Sequence, residues 1–393
     1  MKNGLKVTFL IGAGASIPAG MPTTTELTDK ILSGSEYEWV NPSEEFRPSN
    51  TGSSSGGEVD RVKNYLKTLK GELDQYYSKK KVVNYEDLYS CALTVERCVS
   101  AQLHDRPHVR ALVDRLSPKL VGLGATNDQE IKDLSERAVE YMRCVVAKSL
   151  RNHGRSFAHL DVLLGASNSE RVCELDIATL NHDLLIEECL TQNGIAYADG
   201  FEGQRCEDRQ WNPETFKCED CKTRLLKLHG SIDWYHYFTS DPQRRYRYFA
   251  VPFDRPLEPK RKNGTDWALT GASYSPRMLI GNENKVQQYT RSLFIELHFR
   301  FYNALRRSDL VVITGYGFGD DGINYQLLSQ VPTNQYLRYI VIHPRPDGIL
   351  DRSKYGTKVD LRTLKSSGRL AFIEKGIEKT SWKEVLREYE TLH

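Results

Sequence analysis

The chain predicts an α/β protein, a mostly parallel sheet with helices on both faces and a large, mainly helical insertion. Three observations predict it. Residues 7–10 form an apolar strand that runs directly into the turn Ile11-Gly12-Ala13-Gly14-Ala15-Ser16. Further short apolar runs, at residues 175–180, 225–228, 309–314 and 336–343, alternate with helical patterns, as in βαβ units. Between the first run and the second lies a long stretch whose apolar residues recur every three or four positions.

A buried strand, a tight turn and a following helix leave backbone N–H groups facing one spot, where a pyrophosphate replaces the missing helical acceptors. The turn alone does not assign a nucleotide, because α/β proteins that bind none also leave strands through Gly and Ala. Residues 18–22 and the threonines Thr23 to Thr25 read as a loop before a helix that begins near Glu26 and includes Leu27 and Ile31, with Thr24 or Thr25 as its cap. Residues 41–57, rich in Ser, Gly, Pro and Asn, carry too little apolar surface to order themselves and predict a flexible excursion.

Residues 58–164 predict the helical insertion, on the spacing of Val59, Val62, Leu66, Leu69 and Leu73, of Leu112, Leu116 and Leu120, and of Ile131, Leu134, Ala138, Tyr141 and Val145. The α/β core then occupies residues 1–57 and 165–393. One strand ends at Asn181-His182-Asp183, before a helix carrying Leu184, Leu185, Glu187 and Leu190, and another ends at His229-Gly230-Ser231. An irregular insertion near 238–285, proline-rich and aromatic with a basic stretch Lys260-Arg261-Lys262, suits a pocket wall or a subunit contact. A long helix is predicted over 286–305, then a core strand entering Gly315-Tyr316-Gly317-Phe318. Val359, Leu361 and residues 370–373 read as late strands, and residues 382–389 as a last helix packed through Trp382, Val385 and Leu386.

With 393 residues, 39% of them hydrophobic, the chain can bury at least one large core. Its 54 basic and 52 acidic residues leave a formal charge of +2, so no global field attracts nucleic acid or an anionic membrane. No apolar stretch reaches the length of a membrane span and no cleavage site precedes the first strand, which predicts a cytoplasmic protein. Eight cysteines are too sparse for a disulfide scaffold, and Cys91, Cys98 and Cys144 fall in helical patterns as reduced core or helix-face residues.

Taken in order, Gly12-Ala13-Gly14-Ala15-Ser16, Thr179-Leu180-Asn181-His182-Asp183, Lys227-Leu228-His229-Gly230-Ser231 and Gly315-Tyr316-Gly317-Phe318 resemble the sirtuin-like NAD-binding fold. The closer resemblance is to the bacterial branch that destroys NAD during antiphage defence, including proteins paired with a HerA-type ATPase. The resemblance implies a Rossmann-like core, with a nucleotide cradle from Gly12, Ala13, Gly14, Ala15 and Ser16. Thr179 and Asp183 then lie on the ligand side, and Gly315, Tyr316, Gly317 and Phe318 form a second dinucleotide-facing loop. Asn181 matches the family's catalytic asparagine and His229 its catalytic histidine.

The implied reaction cleaves NAD+, as substrate, into nicotinamide and ADP-ribose. An asparagine amide both donates and accepts, so Asn181 suits a ribose hydroxyl or a water, and the imidazole of His229 accepts and passes on a proton near neutral pH. Read from the residues alone, Asp183 and the Gly315–Phe318 run serve equally as turn formers, and a lone histidine as a structural one.

Protein-deacylating sirtuins resemble a two-part machine with a four-cysteine zinc module after the His-Gly motif. Here Cys218-Glu219-Asp220-Cys221 precedes His229, Cys206 lies farther upstream, and no second Cys-x-x-Cys follows. Two thiolates fall short of the four ligands of a structural zinc, so no metal is predicted unless Cys206 and a remote group join. The resemblance also implies a homo-oligomer and a separate activator, a HerA-type ATPase or an Argonaute-like protein. No Gly-x-x-x-x-Gly-Lys-Ser/Thr loop is present, which places any ATPase on another polypeptide. The stretch 235–248, with Arg244, Arg245 and Arg247, reads as a partner-facing or a solvated loop. The competing functions are an NAD-dependent deacylase or ADP-ribosyltransferase, a non-enzymatic NAD-sensing subunit, and a nucleic-acid-binding module, which needs a coherent basic surface.

Overall fold

Strands buried on both faces, such as Leu310–Thr314, favour a parallel sheet covered by helices. A computed structural model describes residues 4–34, 37–40, 45–48, 56–78, 81–99, 107–151, 156–218, 221–239, 246–262, 265–269, 275–282, 284–352 and 355–392. From the N-terminus, β1 (Leu5–Ile11) is followed by α1 (Thr24–Ser33) and the hairpin β2 (Tyr37–Val40) and β3 (Glu45–Pro48). Helices α2 (Gly56–Tyr77), α3 (Tyr85–Val99), α4 (Pro107–Leu120) and α5 (Asp128–Arg151) come next, then the short α6 (Asp161–Ser167). The chain continues through β4 (Val172–Thr179), α7 (Leu185–Gln192), β5 (Tyr197–Ala198), β6 (Phe201–Glu202), β7 (Arg209–Trp211) and β8 (Thr223–Lys227). Strands β9 (Trp234–Phe238) and β10 (Tyr246–Ala250) and the ribbon β11 (Lys260–Lys262) and β12 (Thr265–Trp267) precede α8 (Asn284–Gln288) and α9 (Ser292–Arg307). The last part is β13 (Leu310–Thr314), α10 (Asp321–Leu328), β14 (Arg338–Ile342), α11 (Pro346–Arg352), α12 (Tyr355–Ser366), β15 (Leu370–Ile373) and α13 (Trp382–Thr391).

Seven strands pair in the order β15-β14-β13-β1-β4-β8-β5, every pair parallel. From β1 the chain moves outward to β4 and β8, whereas from β13 it moves outward the other way, so the order reverses between β1 and β13. In open α/β sheets, ligands bind outside the carboxyl ends of the strands at such a reversal.

The period of two along each strand divides the core. Val7, Phe9, Ile11, Leu175, Ile177, Leu310, Val312, Ile340 and Ile342 join the cluster on one face, together with Tyr65, Leu66, Leu88, Leu134 and Val146 of the helical region. Leu10, Ala178, Val311, Ile313, Tyr339 and Val341 face the other cluster, against Leu297, Phe301 and Leu305 of α9. The helices α2 to α5 therefore share a core with the sheet, and Tyr141 of α5 donates to the Ile31 carbonyl of α1 at 3.1 Å. No described helix is long and apolar enough to cross a membrane.

Several elements differ from the sequence expectation. Helix α1 is capped by Thr23, not Thr24 or Thr25: its hydroxyl accepts from the Glu26 N–H while Glu26 accepts from the Thr23 N–H, a reciprocal capping box. Of the excursion expected at 41–57, residues 45–48 pair as a strand and 56–57 open α2, and the rest lies outside the described residues. The insertion expected near 238–285 is not irregular throughout: β10 within it pairs with β9 just before it, and the basic Lys260–Lys262 stretch is strand β11; Arg244 and Arg245 lie outside the described residues. Val359 and Leu361 lie on α12 rather than a strand, with Leu361 and Leu364 buried one turn apart. The long helix expected at 286–305 is broken between α8 and α9, where Ser292 adopts φ 59°.

At the reversal two turns meet backbone to backbone. Gly315 has φ 64°, and a Cβ there would stand 2.1 Å from the Ala15 nitrogen. Gly315→Ala is expected to cost more than about 2 kcal/mol, from left-handed strain plus the clash. Gly317, with nothing within 4 Å of an added Cβ, serves as the control: Gly317→Ala leaves the denaturation midpoint unchanged.

Candidate functional site

The turn after β1 is shaped by contact with the turn after β13. Its residues form two successive 3-10 turns, Ala13–Ala15 and Ile17–Ala19. The Gly12 N–H donates to the Thr314 carbonyl and the Gly14 N–H to the Gly315 carbonyl, both at 2.9 Å, while Ala15 and Ser16 donate to Gly12 and Ala13. This corrects the expectation of an open set of N–H groups, since four of the five are used inside the protein. Ala13 and Gly14 are exposed, whereas Gly12, Ala15 and Ser16 are buried.

Beside this junction a cavity of about 710 Å³ opens over the ends of β1, β13, β14 and β15. Gly14, Gly315, Tyr316 and Gly317 line it, with Glu374 and Lys375 after β15. Its volume falls in the range of small-molecule sites. Phe318 does not line it; with φ 55° it turns into the core.

Asn181 and His229 lie on the other side of β1. Thr179 of β4 pairs in register with Lys227 of β8, so the two residues stand equal distances beyond neighbouring parallel strands. The buried Thr179 hydroxyl accepts the Asn181 N–H at 3.1 Å and so fixes the asparagine backbone. The Asn181 amide donates to Ser16 Oγ at 2.8 Å, and Ser16 donates to Asp183 Oδ2 at 2.9 Å. Asp183 Oδ1 accepts from the Leu185 N–H at the start of α7, and the Asp183 carbonyl accepts from Lys227, itself paired with Glu187. Burial raises the Asp183 pKa, with Lys227 opposing. Asn181 Oδ1 is buried and has no hydrogen-bond partner among the described residues. An orphaned carbonyl of this kind is suited to a donor on a ligand or water.

The His229 ring, 4% exposed, meets a tyrosine and an aspartate. Its Nε2 lies 2.9 Å from the Tyr289 hydroxyl and 3.3 Å from Asp320 Oδ2, and Tyr289 donates to that oxygen at 2.5 Å. Burial, then Lys285, lowers the His229 pKa, with Asp320 opposing. Burial alone disfavours the Asp320 carboxylate, but hydrogen bonds from His229 and Tyr289 outweigh it and hold its pKa well below the usual range. The pair is therefore a neutral imidazole beside a carboxylate. Gly230, at φ 83°, lets the chain turn under the Arg277 carbonyl, which a Cβ would meet at 2.2 Å. His182 packs 6.4 Å from the His229 ring and is kept neutral by burial and by His229.

Residues 176–364 match the SIR2-like domain. That SIR2-like match spans Asn181, His229, Tyr289 and Asp320 but begins after the glycine turn of β1. Among solved structures the chain is similar to a Sir2 homologue–NAD complex, at 12% identity and TM-score 0.40 over 99% of this chain and 91% of that one. It is also similar to a Sir2 bound to acetylated peptide, at 11% identity and TM-score 0.31 over 93% and 94%. No curated protein sequence matches the chain.

Tyr289, Asp320 and His182 were not singled out from sequence. Asp320 is visible there only as a helix cap, and Tyr289 was hidden inside the helix expected to be continuous. Cys206, Cys218 and Cys221 are free thiols, and among the described residues no three His, Cys, Asp or Glu side chains gather as a metal group.

Beneath the site, His298 stacks on Tyr289 with centroids 3.8 Å apart. Its Nε2 faces the Leu228 carbonyl at 3.2 Å and its Nδ1 the Gln326 amide nitrogen at 2.9 Å, so only the neutral Nε2–H ring satisfies both. Burial, then His229, pushes its pKa down to about 3. A depressed base binds its proton in the unfolded state first, so stability is complete above about pH 6.5 and falls as the solution is acidified. Between pH 7 and pH 5 this histidine should account for a loss of about 2 kcal/mol, and denaturant titrations of His298→Gln should lack that part of the slope.

Proposed function

We propose that the chain is an NAD+ glycohydrolase, releasing nicotinamide and ADP-ribose. The observation that carries this reading is the orphaned carbonyl of buried Asn181 on the strand next to His229, with a nucleotide-sized cavity across the β1 turn. A dinucleotide has two ends to satisfy such a divided site: its adenosine half over the cavity, its nicotinamide ribose towards Asn181 and His229. The Gly12–Ser16 and Gly315–Gly317 turns then lie under the pyrophosphate. The likeness to a Sir2 homologue–NAD complex agrees with that ligand.

Nicotinamide leaves as a neutral base, carrying the electrons of the bond to ribose C1′. The oxocarbenium-like carbon takes a water, whose proton departs through a base. Asn181 Oδ1 accepts from the water or a ribose hydroxyl and His229 moves the proton. No cysteine follows Cys221, so the chain after His229 supplies β9 to β12 where a deacylase has its four-cysteine module.

The biological role we assign is an NAD-depleting effector of antiphage defence in the cytoplasm, with a HerA-type ATPase or another activator as partner. Its support is the motif resemblance, together with the cover over the reactive residues: Asn181 is 6% exposed, so substrate entry needs a change that a partner can supply. A homo-oligomer is supported by Ile295, Phe299 and Tyr302, exposed together along one face of α9.

The test is incubation of the purified chain with NAD+, alone and with its partner, resolving nicotinamide, ADP-ribose and cyclic ADP-ribose. Nicotinamide and ADP-ribose in equal amounts are expected. His229→Ala and Asn181→Ala should each lower turnover by about 10²-fold or more while the protein stays folded and much of the NAD+ affinity is retained. Tight binding without product under every condition would overturn the hydrolase reading in favour of an NAD-sensing subunit.

A further inference from the structure

We infer that Asp320 and Tyr289 are positioning residues that hold His229 as its Nε2–H tautomer, leaving Nδ1 as the atom that takes the proton. The inference rests on the hydrolase reading above for what the proton transfer accomplishes, and on geometry for the tautomer. An ionised carboxylate only accepts, so the 2.5 Å contact makes Tyr289 the donor to Asp320 Oδ2. The tyrosine oxygen then accepts, and the group facing it at 2.9 Å is His229 Nε2, which must carry the hydrogen. Direct approach of Nε2 to Asp320 Oδ2 at 3.3 Å demands the same tautomer.

The aspartate is itself fixed. Its Oδ1 caps α10 by accepting the Ile323 N–H at 3.1 Å, and its own N–H meets the Tyr316 hydroxyl at 3.3 Å. Tyr289 is clamped between rings, with His229 stacked at 5.9 Å and His298 at 3.8 Å. The other charged and titratable groups felt by His229 are Lys285 from α8, Glu86 from α3 and the neutral rings of His182 and His298. None of these supplies a second acceptor at Nε2. The three side chains come from separate elements, at 229 after β8, 289 after α8 and 320 before α10.

Asp320→Asn is the informative change because the cap oxygen is retained: asparagine is an equally good cap, and its Oδ1 stays on the Ile323 N–H. The amide nitrogen then faces Tyr289 and donates to it, the tyrosine hydroxyl turns to donate to Nε2, and the His229 proton is forced onto Nδ1. Nitrogen-15 NMR of the full chain without NAD+, with the His229 signals assigned by their absence in His229→Gln, should show Nε2–H in the wild type and Nδ1–H in Asp320→Asn. Turnover of NAD+ should fall about 10²- to 10³-fold with KM within threefold, and the acid limb of the kcat profile should move to lower pH, since a carboxylate favours the imidazolium.

Tyr289→Phe should lose only about tenfold, because Nε2 still reaches Asp320, and Asp320→Glu should recover part of the loss. A wild-type Nδ1–H ring, or an Asp320→Asn variant that keeps both Nε2–H and its turnover, would overturn the inference. A wild-type chain without NAD+ turnover whose tautomer still changes on substitution would overturn the hydrolase reading and support the positioning of His229.

Discussion

The site depends on one close contact, the packing of the turn after β1 against the turn after β13, with only the Ala15 methyl beside Gly315. A Cβ on Gly12 would stand 2.6 Å from the Gly315 carbonyl oxygen, and one on Gly315 would stand 2.6 Å from the Gly12 oxygen. Only glycine at both positions lets two parallel strands end in turns this close, with the N–H groups of Gly12 and Gly14 donating to the carbonyls of Thr314 and Gly315. That contact lies where the strand order reverses between β1 and β13, so that the two connections leave in opposite directions. Ser16 follows one of these turns and Asp320 the other, and each bonds to a residue of the site, Asn181 and Tyr289 respectively.

On the β4 side the junction is tied to Asn181 through Ser16. The serine hydroxyl receives from Asn181 and gives to Asp183, so the direction of the asparagine amide is set by the need of an aspartate for a donor. Burial makes the arrangement exacting, because each of the three side chains is at most 6% exposed and a broken link leaves a dry polar atom. Four of the five amides of the glycine turn, those of Gly12, Gly14, Ala15 and Ser16, are consumed in building the junction.

Much of the architecture could be read from the amino-acid pattern, because buried parallel strands announce themselves as short apolar runs: Leu310–Ile313 is continuous in this respect, whereas β1 and β4 show shorter runs, Phe9–Ile11 and Ile177–Ala178, interrupted upstream by Lys6, Thr8, Glu174 and Asp176. The positions of Asn181 and His229 were legible for a related reason, since each follows a strand end at a Gly- or Asp-containing turn. Val359 and Leu361 misled because two apolar residues spaced by two mimic a strand, whereas Leu361 and Leu364 carry the true helical spacing. Tyr289 and Asp320 were illegible because their meeting is a tertiary event. Residues 286–305 have helical periodicity throughout, whereas the folded chain breaks between α8 and α9 and packs Tyr289 against His298 and Gly322.

The helical region is joined to the histidine side of the site by specific polar bonds as well as by core packing. Asn282 donates its backbone N–H to Ser90 and its side chain to Asp87 at 2.7 Å, and Lys285 pairs with Glu86 at 2.9 Å; all three partners lie on α3. Four residues after Lys285 comes Tyr289, in contact with His229, and three residues before Asn282 comes Leu279, whose N–H donates to the His229 carbonyl at 2.7 Å. The segment that covers the imidazole is thus held at one end by the sheet and at the other by α3. Residues so constrained cannot shift independently, and a displacement of α3 against the sheet must either break the Glu86 and Asp87 bonds or carry the cover over His229 with it. Because Lys285 also lowers the histidine pKa and Glu86 opposes it, the same displacement alters the charge felt by the ring, coupling the position of the helices to the protonation of the residue they enclose.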